Sequence, residues 1–195
     1  MSLPVLAATP WRPRTLVHPG PVHPVRIEHR QAASARHVRL ALEPGRTLHE
    51  ALVEPLARLG IGCASMTLLG GPLASLSYCV ATTDPTGVRV AAYGRPIEAG
   101  AAVLVFGNAT LSRGPEDRPL IHCHAAFALA DGTLRGGHVV TDRTRVGDVP
   151  IPVLVTAIDG FGLRQGYDDE THMPLVRPVD VPSSSESLQE TLHVR

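Results

Sequence analysis

The sequence predicts an α+β fold, in which a central antiparallel sheet or partial barrel carries one main helix packed against it. The chain has 195 residues and is 44% hydrophobic but only 4% aromatic, so a single core of aliphatic side chains is expected. One stretch has helical periodicity, whereas most other apolar runs are short and leave no room for helices between them. Strands joined in this way pair in an antiparallel sheet.

The two ends of the chain differ in composition from the middle. Residues 1–35 are rich in proline, histidine and arginine, and residues 181–195 form a polar tail. Because proline removes backbone donors, the N-terminal segment is expected to be extended or loop-like. The domain itself is placed at residues 36–180, and no internal repeat or linker divides it.

The main helix is predicted over residues 47–60, TLHEALVEPLARLG. Thr47 and Glu50 have the spacing of a capping box, in which each side chain bonds to the other's backbone N–H. Leucines recur at helical spacing, and Gly60 provides a C-terminal stop. Pro55 conflicts with this pattern because an interior proline removes a hydrogen bond. We therefore expect either a kink at Pro55 or a later start of the helix.

The strands are predicted from short apolar runs that are bounded by turn residues. They cover residues 63–70, 74–82, 87–93, 101–112, 119–130, 133–141 and 151–158. The dipeptide Asp131-Gly132 predicts a hairpin between the fifth and sixth runs, because glycine accepts the positive φ that a tight turn needs.

The charge balance argues against a dedicated nucleic-acid-binding domain. The 18 basic residues, all arginine, are matched by 18 acidic ones, whereas such domains usually carry a basic excess. Before residue 40 the chain has six arginines and a single acidic residue, Glu28. This excess indicates either a basic surface or a solvated segment. These arginines are Arg12, Arg14, Arg26, Arg30, Arg36 and Arg39.

Cysteine content and hydropathy indicate the compartment. The three cysteines have no CxxC spacing, which favours free thiols in a reducing environment. No charged n-region precedes an apolar stretch at the N-terminus, and no apolar run approaches the ~20 residues of a membrane helix. We expect a soluble, cytoplasmic protein that makes no membrane contact.

Three histidines stand close together in LIHCHAAFALADGTLRGGH, the sequence of residues 120–138. Because side chains alternate along a strand, His122 and His124 share a face. Cys123 points to the other face, as a small buried hydrophobe. If His124 pairs directly with His138 across the hairpin, all three imidazoles share that face.

A shift of one residue, which pairs Ala125 with His138, would turn His138 away from the other two histidines. A bulge at Gly136 or Gly137 would restore the common face. Neutral imidazole is a good zinc ligand, and three ligands beside an open position are typical of catalytic zinc sites. The alternatives are satisfied polar residues in a strand pair, or a proton-sharing cluster.

Several motifs together resemble the plants-and-prokaryotes-conserved (PPC) domain family, between about Arg36 and Pro178. These motifs are Pro44-Gly45, LLGG at 68–71, His122-Cys123-His124, Asp131-Gly132, Gly136-Gly137-His138 and GYDDETHMPL at 166–175. The resemblance implies a mixed fold with a central antiparallel sheet, and a homotrimer. It also implies a divalent metal at the three histidines, with zinc as the first candidate. The fold is also similar to that of acetolactate decarboxylase, a zinc enzyme with a comparable histidine arrangement.

Plant members of the family carry AT-hook motifs for the minor groove of DNA. The nearest match here is Gly94-Arg95-Pro96, which lacks flanking basic residues and is predicted to be a turn. We therefore favour a trimeric protein that acts on or senses a small molecule, as a zinc-dependent hydrolase or lyase if it is an enzyme. DNA binding and transcription regulation, the role usually attached to the family, are the alternative.

The acidic run Asp168, Asp169 and Glu170 is either a solvated loop or the source of a general acid or base. Glu170 and Asp169 are the candidates for proton transfer. Arg164 would bind a substrate carboxylate, or else form a surface ion pair with the acidic run. Weaker candidates are Arg135, Asn108 and, as a fourth metal ligand, His172. The spacing of His18, His23 and His29 is irregular, so no second metal cluster is expected there.

Overall fold

The computed structural model describes residues 16–181. The helix and strands of this part follow in the order β1 Ala35–Leu42, α1 Leu48–Arg58, β2 Ala64–Leu68, β3 Gly71–Cys79, β4 Ala81–Thr82, β5 Ala92–Tyr93, β6 Ile97–Arg113, β7 Pro119–Leu129, β8 Leu134–Val139, β9 Arg145–Val146, β10 Ile151–Ile158, β11 Gly162–Asp168 and β12 Met173–Val179. A short 3-10 turn, Pro115–Asp117, lies between β6 and β7. No helix within residues 16–181 is long and apolar enough to cross a membrane.

One mostly antiparallel sheet organises the fold. Its strands lie in the order β1-β10-β2-β6-β7-β8-β3-β9, and the hairpin of β11 and β12 joins it at β6. Because β3 pairs with β6 as well as with β8, the sheet is partly closed without forming a complete barrel. The predicted α+β class, with one helix packed on an antiparallel sheet, is confirmed.

Helix α1 begins and ends as its sequence predicts. Thr47 is the N-cap, and both hydrogen bonds of the capping box with Glu50 are present. Gly60, at φ 66°, ends the helix with the paired hydrogen bonds of a Schellman motif. The helix continues through Pro55, so a start beyond the cap is wrong; the missing N–H of Pro55 removes one backbone hydrogen bond.

The core lies between the helix and the inner face of the sheet. Helix α1 buries one stripe of side chains, namely Leu48, Ala51, Leu52 and Leu56. Alternate residues of β7 face this stripe, and Phe127 is completely buried. Its ring packs against the ring of Tyr78 with 4.7 Å between centroids, in an edge-to-face arrangement. The opposite face of β7 is therefore free to carry polar side chains.

The strand predictions are largely confirmed, with one exception. The run 87–93 contains only the two-residue strand β5. The Asp84 carboxylate accepts hydrogen bonds from the backbone N–H groups of Thr86 and Arg89, at 2.9 and 3.0 Å, which fold the first part of this run into a loop. Strand β1 and the β11–β12 hairpin were not predicted.

The N-terminal segment forms no helix or strand in its described part, residues 16–34. It nevertheless contacts the domain, because the N–H of Gly20 donates to the carbonyl of Glu170 at 3.0 Å. Arg12, Arg14 and the tail 182–195 lie outside the described residues. The domain boundaries at 35 and 180 therefore stay a prediction.

Candidate metal centre

The register of one hairpin brings the three histidines together. His124 lies directly opposite His138 in the pairing of β7 with β8. The pairing is regular throughout, so neither the shifted register nor a bulge at Gly136 or Gly137 occurs. His122 lies two residues before His124 on the same strand and therefore shares its face.

The turn that fixes this register has three residues between Leu129 and Thr133. The N–H of Leu129 donates to the carbonyl of Thr133, and the N–H of Gly132 donates to the carbonyl of Leu129, both at 2.9 Å. Gly132 has φ 80°, as the prediction from Asp131-Gly132 requires. The Asp131 carboxylate accepts the N–H of Thr133 at 2.9 Å and holds the turn in place.

The imidazoles are close enough to share one ion. Ring centroids lie 4.9 Å apart for His122 and His124, 4.9 Å for His122 and His138, and 5.3 Å for His124 and His138. One nitrogen from each ring lies within 4.8 Å of the others, and this is the one such group of three potential ligands in the described part of the chain. The two Nε2 atoms of His122 and His124 are 3.1 Å apart.

Gly137 allows strand β3 to approach β8 closely. A Cβ at Gly137 would lie 2.6 Å from the carbonyl oxygen of Cys79 and 2.9 Å from the Tyr78 ring. Cys79 is in turn the residue paired with His138 across the two strands. The glycine therefore helps to place the backbone of His138.

Burial lowers the pKa of two of the imidazoles and so disfavours their protonated form. Desolvation first, and then the neighbouring histidines, lower the pKa of His138 to about 4. The pKa of His122 is lowered by burial and by His124. The Nδ1 atom of His138 is buried without a hydrogen-bond partner among the described residues. Neutral rings with a free lone pair suit a divalent metal ion, so this group of residues fits one.

Polar and aromatic neighbours complete the surroundings of the histidines. Asn108 and Thr110 of β6 lie opposite His124 and His122. The ring of Tyr93 is 4.9 Å from the ring of His138, and burial raises the pKa of its phenol. Sequence reasoning missed Tyr93, because it lies far from the histidines in the chain and in a run that forms almost no strand.

Glu170 is engaged elsewhere. Its carboxylate accepts the N–H of His23 at 2.8 Å, contacts Nδ1 of His18 at 2.6 Å and pairs with Arg26 at 2.5 Å. These contacts lower the pKa of Glu170 to about 2. The N–H of His23 has the largest effect, followed by Arg26 and then His18. None of the hydrogen bonds or ion pairs of the described residues joins Glu170 to the three histidines.

Only part of the acidic run is solvated, because Asp169 is exposed whereas its neighbour on each side is buried. Asp168 is buried and binds the N–H of Thr171 at 2.8 Å and the guanidinium of Arg177. Arg164 pairs with Asp117 at 2.6 Å rather than with the acidic run. The backbone carbonyl of Asp169 lies against Gly20 of the N-terminal segment. Catalytic roles for Glu170, Asp169 and Arg164 stay a prediction.

The weaker candidates are also accounted for. Nδ1 of His172 lies 2.9 Å from the carbonyl oxygen of Val88, and His172 is not part of the three-histidine group. Arg135 is exposed, and its guanidinium donates to the carbonyl of Leu134. His18, His23 and His29 do not belong to the group of potential metal ligands found in residues 16–181.

An apolar patch continues the histidine face along β6. Its members are Val103, Val105 and Phe106, with exposed fractions of 51%, 50% and 50%. A bulge between Leu104 and Phe106 turns two consecutive apolar side chains outward. Phe106 is two residues before Asn108, so the patch borders the histidines directly.

Comparisons with known proteins give the family of the chain. The family model of the Plants and Prokaryotes Conserved (PCC) domain, also abbreviated PPC, matches residues 29–157. No curated protein sequence matches. A metal-containing protein from Archaeoglobus fulgidus is similar in structure with a TM-score of 0.60 and 19% identity, over 77% of this chain and 98% of that one.

Two further solved structures are similar in the same way. A candidate DNA-binding protein from Ralstonia eutropha JMP134 has a TM-score of 0.58 and 17% identity, over 71% of this chain and 89% of that one. A PPC protein from Pyrococcus horikoshii has a TM-score of 0.56 and 15% identity, over 78% of this chain and all, 100%, of that one. These likenesses show a common fold, and together with the family model they show that the chain belongs to the Plants and Prokaryotes Conserved domain family.

Proposed function

We propose that the protein binds a divalent metal ion at His122, His124 and His138, and acts on or senses a small molecule there. Zinc is the first candidate for this ion. The observation that carries the proposal is the convergence of three imidazoles on an outward-facing side of the sheet. Structural zinc sites generally use four protein ligands, whereas catalytic sites use three and keep a position open. The similarity to a metal-containing protein of Archaeoglobus fulgidus supports it.

The chain's own residues prepare the site. Burial and mutual proximity disfavour protonation of His122 and His138, so their nitrogens stay available as ligands. Pairing of β7 with β8 holds the rings on one face. Zinc held by these residues would supply Lewis acidity towards a carbonyl group of a ligand. An anionic carbonyl compound or an ester is the substrate class, and hydrolysis or lyase chemistry is the reaction class.

Metal content tests the proposal. We expect about one zinc per untagged wild-type chain, and loss of that zinc in His122→Ala and in His138→Ala. His37→Ala is the matched control, because His37 is also an exposed strand histidine but contacts Thr156 rather than the group. Wild-type protein that takes up no metal even after reconstitution would make the histidines structural. Zinc retained in both triad variants would also overturn the assignment.

Activity is a separate test. Zinc-loaded protein is screened against anionic carbonyl compounds and esters, and turnover must disappear in His138→Ala. A metal site with no turnover of any compound leaves the sensing role, which is then tested by ligand-dependent changes in the thermal unfolding temperature.

The apolar patch supports a homotrimer. Val103, Val105 and Phe106 leave about half of each side chain exposed, and contiguous apolar surface of this kind marks association sites. Sedimentation measures the assembly: Phe106→Asp should dissociate it, whereas Val149→Asp, at an exposed valine outside the patch, should not. A wild-type monomer at working concentration would contradict the trimer.

DNA binding is the second candidate, favoured by the similarity to a candidate DNA-binding protein. The early arginines speak against it. Arg26, Arg30 and Arg36 each pair with a carboxylate of the domain, and the net charge is zero. A mobility shift on duplex DNA that weakens steeply with salt would support this candidate, because phosphate contacts release counterions. No shift at low salt would exclude it.

A further inference from the structure

We propose a second ligand site, separate from the histidines, that binds a small carboxylate with an apolar body. The site is a cavity of about 450 Å³ between the C-terminal end of α1, the end of β6 and the β11–β12 hairpin. That volume lies within the roughly 300–1,000 Å³ of small-molecule pockets. The apolar part of its wall consists of Ile158, Phe161, Val179 and Val181.

The cavity lies on the opposite side of the sheet from the histidines. Along β6, Thr110 is paired with His122 and so shares its face. Leu111 and Arg113 alternate with Thr110 and point to the inner face. A molecule in this cavity therefore contacts the guanidinium of Arg113 without reaching the imidazoles.

Arg113 is the wall arginine whose charge has no carboxylate partner among residues 16–181. Its guanidinium donates to the backbone carbonyl of Asp117 at 3.1 Å. Each aspartate of the wall is already neutralised by another arginine. These pairs are Asp117 with Arg164, Asp159 with Arg36 and Asp180 with Arg30, at 2.6, 2.7 and 2.8 Å. One positive charge is thus left for a ligand.

The chain makes room for this guanidinium and holds a loop beside it. A Cβ at Gly62 would lie 3.1 Å from a terminal nitrogen of Arg113, so a larger residue would crowd it. Glu116 and Asp117 have φ 55° and 60°, which is uncommon for residues other than glycine. Two strained residues in succession are typical of binding sites, where the surrounding structure maintains them.

The surplus of one positive charge selects the ligand. A guanidinium binds a carboxylate through two parallel hydrogen bonds. A phosphate dianion or a nucleic acid would bring more negative charge than the single unpaired guanidinium can balance. The four apolar side chains require a hydrocarbon body beside the charged group. The cavity is therefore suited to a monocarboxylate with an aromatic ring or a short alkyl chain.

Calorimetric titration with 3-phenylpropanoate and with hexanoate tests the site. We expect saturable binding of at least one probe to the wild-type protein, weakened about tenfold or more in Arg113→Gln. Asp117→Asn should tighten it several-fold, because it frees Arg164 and because asparagine accepts the left-handed conformation. Arg118→Gln, at an exposed arginine of the same loop that pairs with Glu116, is the matched control and should bind as the wild type does.

Three outcomes would overturn the proposal. They are no saturable binding of either carboxylate, equal binding of the neutral amide 3-phenylpropanamide, and unchanged affinity in a folded Arg113→Gln variant. Arg113→Lys keeps the charge and should retain part of the affinity, which guards against a folding defect in the glutamine variant. Zinc content should stay the same in all four variants, since the two sites lie on opposite faces.

Discussion

Replacing Gly137 by alanine tests how the sheet positions the candidate metal centre. The new Cβ would lie 2.6 Å from the carbonyl oxygen of Cys79, well inside van der Waals contact. That oxygen belongs to the backbone of β3 and has no rotamer to change. The Tyr78 ring, 2.9 Å away, is 5% exposed and packed against Phe127, so it cannot move aside either.

Strand β3 must therefore separate from β8. Overpacking of this kind costs about 1–3 kcal/mol of unfolding free energy, and urea unfolding followed by circular dichroism measures it. Displacement of His138 should also lower the affinity for zinc about tenfold or more, as the loss of groups that orient a metal ligand does. Competition with a chromophoric chelator measures this affinity.

Gly136→Ala is the control for this substitution. It lies one residue away on the same strand, and its Cβ would meet only the carbonyl of Ala125 at 3.3 Å. Its unfolding free energy should change by no more than about 0.5 kcal/mol. Equal unfolding midpoints for Gly136→Ala and Gly137→Ala would refute the reasoning, because the close approach of β3 would then not be required.

Three further predictions concern the helix, the buried carboxylate and the buried thiol. Thr47→Ala removes one half of the capping box and should lower the unfolding free energy by about 1 kcal/mol, whereas Thr86→Ala in the exposed loop serves as its comparison in the same denaturant titration. Glu170 has its pKa lowered from 4.5 to about 2, so it stabilises the fold above pH 4.5 and this contribution is lost as the pH falls towards 2. The unfolding temperature of Glu170→Gln should accordingly depend less on pH across that window than that of the wild type, and parallel curves would contradict the assignment. Burial raises the pKa of Cys123 to about 12, so a thiol reagent at pH 8 should modify it only after unfolding, and rapid labelling of the native protein would show that the inner face of β7 is open.

The histidine site could be predicted because its geometry is local. His122, His124 and His138 belong to one hairpin, in which strand alternation and the turn at Gly132 determine which side chains share a face. Turn chemistry left only two registers to choose between, and the pairing of His124 with His138 is the one that the structure has. The cap of α1 at Thr47 was predictable for the same reason, since its partner lies three residues away.

Contacts between distant parts of the chain had no comparable signal. The carboxylate of Glu170 meets an N-terminal segment that lies 152 residues away at His18, and no pattern in either stretch indicates the other. Tyr93 reaches His138 from the two-residue strand β5, at the end of a run that was predicted to be one longer strand. The β11–β12 hairpin has many exposed side chains and contains proline, so its sequence lacks the apolar alternation by which the other strands were found.

The position of Glu170 changes which residue should be considered for proton transfer at the histidines. A carboxylate held by His23, Arg26 and His18, with its pKa lowered to about 2, is a weak general base near neutral pH. A titratable side chain that the structure does bring beside the histidines is Tyr93, with its ring 4.9 Å from that of His138. Its raised pKa keeps the phenol protonated, so it is suited to donate a proton and not to remove one. If the protein has hydrolase or lyase activity, Tyr93→Phe should therefore reduce turnover more than Glu170→Gln at equal folded fraction, and the reverse order would restore the acidic run as the source of the proton.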